Sequence, residues 1–161
     1  MTESVFDQNQ AAAVDALIAR HAGTPGPLLP ILHAVQDELG FIPRDAVPRI
    51  ADALNLSRAE VHGVISFYHW FRQHAPGRHV VQICRAEACQ AVNGEATEAH
   101  ARQCLGVDWH GTSADGQFTL EAVYCLGNCA AGPAAMIDGQ LYGRVTPERL
   151  DELLAQRRLP Q

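Results

Sequence analysis

Lysine is absent. All twelve basic residues of this 161-residue chain are arginine, against eighteen acidic ones, and the net charge is −6. Residues 1–75 hold five Arg against eight Asp or Glu and residues 76–161 hold seven against ten, so each part carries −3. Neither offers a basic face, which makes nucleic acid and anionic membrane surfaces poor partners. Long apolar runs are missing too: no stretch approaches the roughly 18 apolar residues of a bilayer-spanning helix. The opening MTESVFDQNQAAAVDALIAR has neither the basic start nor the apolar centre of a secretory signal. The expectation is a soluble, cytoplasmic chain without membrane insertion. No C-x-x-C occurs, so a dithiol oxidoreductase is disfavoured. No G-x-G-x-x-G follows a strand-like run, so the chain is not expected to bind NAD itself.

What is present, 47% apolar and 19% charged residues, suits a globular protein. Residues 9–22 keep Ala13, Val14, Leu17 and Ile18 on one side, a helical spacing. GTPGP (23–27) is a turn whose Pro27 opens a second helix, carrying Leu29, Ile31, Leu32 and Val35 and stopping near Gly40. Asp45 is placed to cap a third helix, with Pro48 tolerated in its first turn. Ser57-x-x-Glu60 is a capping box opening a fourth, SRAEVHGVISFYHWF, which ends in aromatics. RQHAPGRH (72–79) reads as a linker, dividing a helical domain (1–75) from a second domain (76–161). HVVQIC is a strand, residues 93–105 a helix, and FTLEAVYC a strand after the turn cluster 111–117. PAAMID, the Asp138-Gly139 turn and QLYGRV form a hairpin, and Thr146-Pro147-Glu148 starts a last helix burying Leu150, Leu153 and Leu154. The class is α+β, a helical bundle followed by β-α-β-β-β-α.

Four of the five cysteines fall in two pairs, Cys84-x4-Cys89 and Cys125-x3-Cys129. Each pair begins where a predicted strand ends, so neighbouring strands closing at one edge bring two thiol-bearing loops together. A four-thiolate pocket suits an iron–sulfur cluster or a structural zinc. Zinc prefers tight C-x2-C knuckles, whereas C-x4-C spans a wider loop and two irons present a larger target. A zinc ion held by the same four cysteines is the main rival. A plant-type ferredoxin would need a cysteine three residues after Cys89, and a Rieske centre two histidines in place of two cysteines. Leu126, Gly127 and Asn128 inside C-x3-C, with Gly132 beyond it, let backbone N–H groups point at the sulfurs. Arg85, the only cation within either loop, either offsets cluster charge or lies solvated.

HVVQICRAEACQ and VYCLGNCAAGPAAMIDGQLYGRVTPERLDELL resemble the thioredoxin-like [2Fe–2S] ferredoxin fold. HGVISFYHWFR resembles the N-terminal part of the small [2Fe–2S] subunit of respiratory complex I, and the likeness runs from about residue 12 to residue 155. Related subunits occur in soluble NAD-dependent formate dehydrogenase (gamma) and in bidirectional NAD-linked hydrogenases. LLPILHAVQDELGFIP, ALNLSRAEVHGVISFYHWFR and CRAEACQ are most similar to the formate dehydrogenase gamma subunit. The resemblance implies that Cys84, Cys89, Cys125 and Cys129 hold one [2Fe–2S] cluster. It further implies a flavoprotein partner carrying FMN and NAD, and a larger molybdenum-containing or cluster-bearing catalytic subunit. The expected role is electron transfer in a formate dehydrogenase, with complex I or hydrogenase as alternative and a free shuttle ferredoxin as a further one; no catalytic site is expected on this chain alone. The seventy-residue helical extension favours a bound subunit over a shuttle.

Other residues carry blander expectations. Cys104 reads as a small buried apolar residue. No histidine is read as forming H-E-x-x-H or as pairing with a cysteine at ligand spacing, and surface or capping roles are expected of all eight. Phe67, Tyr68, Trp70 and Phe71 read as core tying the two parts together, or else as contact with a partner subunit. A cis bond at Gly132-Pro133 is plausible.

Overall fold

The structure, a computed structural model, describes residues 6–158. It divides into two compact units after Ala75.

The first unit is helical: α1 (Gln8–His21), α2 (Leu28–Leu39), α3 (Ala46–Leu54) and α4 (Arg58–Phe67). Asp7 and Gln10 cap α1 reciprocally: the Asp7 carboxylate accepts from the Gln10 N–H at 2.7 Å and the Gln10 side chain from the Asp7 N–H at 3.3 Å. α2 ends on Gly40, whose φ of 81° is the left-handed conformation glycine adopts freely. Val14, Leu32, Val35, Ile50 and Val61, one or two from each helix, are fully buried together. Asp45 does stand before α3, but its side chain makes no capping bond. The Ala46 and Val47 N–H groups are already taken by the carbonyls of Pro43 and Arg44, so a turn replaces the cap.

The fourth helix stops short of the expected aromatic run. Tyr68 is extended (φ −89°, ψ 108°), and the buried Gln36 amide explains why. Its Nε2 donates to the Trp70 carbonyl at 2.9 Å while its Oε1 accepts from the Arg72 N–H at 2.6 Å. Ile42 N–H donates to the Arg72 carbonyl at 2.8 Å. The backbone groups at 70–72 thus find partners outside a helix. Only Phe71 of the four aromatics is buried; Phe67 is 72% exposed and Trp70 48%. The expectation of an aromatic core there is corrected to Phe71 alone.

The second unit carries β1 (His79–Cys84), α5 (Glu87–Gln90), α6 (Gly94–Leu105), β2 (Phe118–Val123), a 3₁₀ turn (Cys129–Ala131), β3 (Ala135–Ile137), β4 (Gln140–Tyr142) and α7 (Pro147–Arg158). The sheet order is β2-β1-β3-β4. β1 and β2 run parallel, Val81 opposite Leu120 and Cys84 opposite Val123, so the connection through α6 is a βαβ crossover. β3 runs antiparallel to β1, and the β3–β4 hairpin closes through Asp138 (φ 52°) and Gly139 (φ 80°), the doubly positive pair a tight hairpin turn requires. Alternating apolar residues on β1 and β2, Val81, Ile83, Phe118 and Leu120, pack with Leu150 and Leu153 of α7 in one core. α5 and the 3₁₀ turn were not foreseen: elements of four and three residues are too short to display a period.

Candidate metal centre

Parallel β1 and β2 end at one edge of the sheet, and antiparallel β3 begins there. Cys84 is the last residue of β1, its N–H donating to the Ala134 carbonyl at 3.0 Å. The Arg85 N–H donates to the Val123 carbonyl at 2.7 Å, so the two strands separate only after the first thiol is in place. α5 then turns the chain so that Cys89 faces inward. Cys84 (2% exposed) and Cys89 (1%) share an apolar nest with Ala134, against Ala86, Val123 and Leu126. Cys125 and Cys129 are exposed, their sulfurs 3.8 Å apart. Gly127, with φ of 75°, turns its N–H to the Cys125 sulfur at 3.3 Å. This is the backbone approach expected of the glycine inside C-x3-C.

Electrostatics joins the two pairs. Burial, then the neighbouring Cys84 thiol, raises the pKa of Cys89, and the Ala134 backbone opposes that shift. Cys129 is raised first by its bond to Cys125, with Cys84 adding from the other loop. Cys89 therefore resists ionisation chiefly because it is buried, and Cys129 chiefly because of its neighbour Cys125. A cationic metal group at their centre reverses that cost, which is the behaviour expected of a thiolate donor set. The chemistry of these residues, thiols held in two pairs, fits a metal group bound through sulfur.

Close approach constrains the surrounding backbone. A Cβ on Gly94 would lie 2.6 Å from the Cys89 carbonyl oxygen, and one on Gly143 2.8 Å from the Ala131 oxygen. The Gly132-Pro133 bond is cis, as sequence made plausible. Arg85 is partly exposed, 32% of its side chain reaching solvent, and it is ion-paired on that surface. Its Nε donates to Glu98 at 2.8 Å and its guanidinium lies over Trp109, 4.9 Å from the ring centroid. Glu98 also raises the Arg85 pKa.

Two expectations fail. Cys104 is exposed on α6, not buried. Among the histidines, His79 is partly buried with its Nδ1 2.8 Å from Asp138, and His100 stands with Cys104 and Asp151 in a group of possible ligands. The i, i+4 spacing of His100 and Cys104 was the available signal for the latter. No described helix is long and apolar enough to cross a membrane.

The chain is 31% identical over 150 residues to the E subunit of NADH-quinone oxidoreductase from Pseudomonas aeruginosa, covering 93% of this chain and 90% of that one. It is 37% identical to the corresponding Escherichia coli protein over 123 residues (76% of this chain, 74% of that one). It is 33% identical over 132 residues to the NADP-reducing hydrogenase subunit HndA of Solidesulfovibrio fructosivorans (81% and 77%). A crystal structure of NAD⁺-reducing [NiFe]-hydrogenase in the H2-reduced state superposes with a TM-score of 0.67 at 25% identity, over 83% of this chain and 22% of the hydrogenase chain. Residues 14–158 match a family whose cofactor is a [2Fe–2S] cluster, and the chain belongs to it: the thioredoxin-like [2Fe–2S] ferredoxins.

Proposed function

We propose that this chain is an electron-transfer subunit that holds one [2Fe–2S] cluster on Cys84, Cys89, Cys125 and Cys129. Through it the chain exchanges single electrons with an FMN- and NAD-binding flavoprotein subunit, in a complex of the NADH-quinone oxidoreductase or NAD-linked hydrogenase kind. What supports this reading is that both cysteine pairs stand on the loops that leave the same end of the parallel strands β1 and β2. The cluster supplies one-electron chemistry; the protein sets its burial, its hydrogen bonds and its access. Cys84 and Cys89 close one side of the site against apolar side chains, while Cys125 and Cys129 stand at the surface. Electron exchange falls steeply with distance, so the exposed C-x3-C side is the one that faces the redox partner.

Relatives named as the E subunit of NADH-quinone oxidoreductase and as a hydrogenase subunit support this class of complex. The formate dehydrogenase gamma reading rests on the resemblance of residues 28–43, 53–72 and 84–90, and the relatives favour the other two. Its molybdenum-containing catalytic subunit is the distinguishing partner. A cytoplasmic location accords with this reading.

The test is anaerobic purification of the full chain. Two irons and two sulfides per chain, with a spin-½ signal after dithionite, are expected. Zinc in place of iron, or no metal at all, overturns the cluster. Affinity capture of the tagged chain from its native cells is expected to bring down a flavoprotein in constant ratio, and the catalytic subunit captured with it decides among the complexes. A lone monomer instead sinks the subunit reading and favours a shuttle.

A further inference from the structure

On the α6–α7 surface, outside the four-cysteine site, the donor atoms of His100, Cys104 and Asp151 all lie within 4.8 Å of one another. His100 and Cys104 are four residues apart on α6, so they project from one helix face. Asp151 comes from the first half of α7, and its Oδ1 is 2.8 Å from His100 Nε2. The two helices are fixed relative to each other near this point by the buried Thr97 hydroxyl, which donates to the Val145 carbonyl at 2.6 Å.

We propose that His100, Cys104 and Asp151 bind a divalent zinc ion, with water as the fourth ligand. Zinc takes imidazole nitrogen, thiolate sulfur and carboxylate oxygen at about 2.0–2.3 Å in a tetrahedron. Donors on such a tetrahedron stand about 3.3–3.8 Å apart, a spacing these exposed or half-exposed side chains reach by small rotations. Metal entry replaces the His100–Asp151 hydrogen bond with two coordinate bonds. The thiol releases its proton to solvent, so thiolate and carboxylate together neutralise the ion. One imidazole, one thiolate and one carboxylate is a borderline donor set, unlike the all-oxygen sets of magnesium and calcium. Glu148, near enough to interact with both His100 and Asp151, adds further negative charge beside the site.

The test is equilibrium dialysis of the full-length, cluster-loaded chain against chelator-buffered Zn²⁺, with zinc and iron counted per chain. One zinc beyond the complement of iron is expected. Retention at the same free zinc is expected to fall on the order of tenfold or more in His100→Ala, Cys104→Ser and Asp151→Asn. Iron content and visible spectrum should hold in all three. Zinc should also slow iodoacetamide labelling at Cys104, located by peptide mass spectrometry. Equal zinc in wild type and variants, zinc gained only as iron is lost, or labelling indifferent to zinc each overturns the assignment. Because iron is counted separately, a chain lacking iron refutes the cluster without touching this result.

Discussion

The four paired cysteines occupy two environments, and substitution should separate them. Serine at any of the four is expected to abolish the all-thiolate site, read as loss of iron and visible colour. The metal-free variants should then diverge. At Cys84 and Cys89 a hydroxyl would lie in a mostly apolar nest at 2% and 1% exposure, and burying a hydroxyl in place of a thiol there costs about 1–3 kcal/mol. At a few degrees per kcal/mol, both variants should melt visibly below the metal-free wild type. Cys125→Ser and Cys129→Ser place the hydroxyl in water and should melt with it. Equal melting of all four would refute the asymmetry of the site. The pairs themselves were legible in the sequence, because ligand spacing is a local property. Which pair is buried was not, since burial depends on Ala134, which sequence does not connect to Cys84. Cys104 was misjudged for the same reason: a small apolar side chain on a helix reads alike on either face.

At the scale of elements, short connections place the thiols. α5 spans four residues and begins three after Cys84, and its inward turn depends on how closely α6 approaches. Gly94→Ala would set a Cβ 2.6 Å from the Cys89 carbonyl oxygen and 2.9 Å from its carbon, backbone atoms that cannot swing aside. Overpacking of this kind costs about 1–3 kcal/mol. The expected outcome is a folded chain of lower melting temperature that retains less iron after gel filtration; full occupancy would show that the Cys89 backbone moves freely. In the helical unit, Ser57 and Glu60 make the reciprocal cap that the sequence announced. The Ser57 N–H donates to Glu60 at 2.8 Å and the Glu60 N–H to the Ser57 hydroxyl at 3.2 Å. Ser57→Ala should cost about 0.5–2 kcal/mol in thermal unfolding. Donation from the Ser57 backbone and then its hydroxyl holds the Glu60 pKa below its ordinary 4.5. That stabilisation is complete above the ordinary value and is lost as pH falls through the lowered one. The variant, lacking the hydroxyl, should lose less stability below pH 4.5 than the wild type does, measured by acid titration of helicity. Capping boxes and the 3.6-residue apolar period are read directly from sequence. The end of α4 was not, because it is decided by Gln36, a residue thirty-odd positions earlier whose amide captures the backbone of Trp70 and Arg72.

For the whole molecule, the decisive quantity is the reduction potential, because it separates the proposed reading from other iron–sulfur chemistry. Histidine ligation in Rieske centres raises potentials to about −150 to +300 mV, against about −400 mV for plant-type all-cysteine clusters. The loops leaving β1 and β2 carry the four paired cysteines and no histidine, and Arg85 is tied to Glu98 and Trp109. With Glu98 bound to it, that guanidinium contributes little net positive charge to the site. Exposure of Cys125 and Cys129 also admits water, which favours the more charged reduced form and moderates the potential. The balance of four thiolates, one backbone N–H at Cys125 and partial solvent access is expected to set the midpoint below the Rieske range. Anaerobic redox titration followed by electron paramagnetic resonance should give one single-electron transition there, with one spin per pair of irons. Glu98→Gln should free the Arg85 charge and raise that midpoint, since a nearby cation favours the form carrying the extra electron. A midpoint unchanged or lowered in this variant would mean that the ion pair does not shield the site, and a wild-type midpoint above about −150 mV, within the range of histidine-ligated centres, would count against ligation by four thiolates.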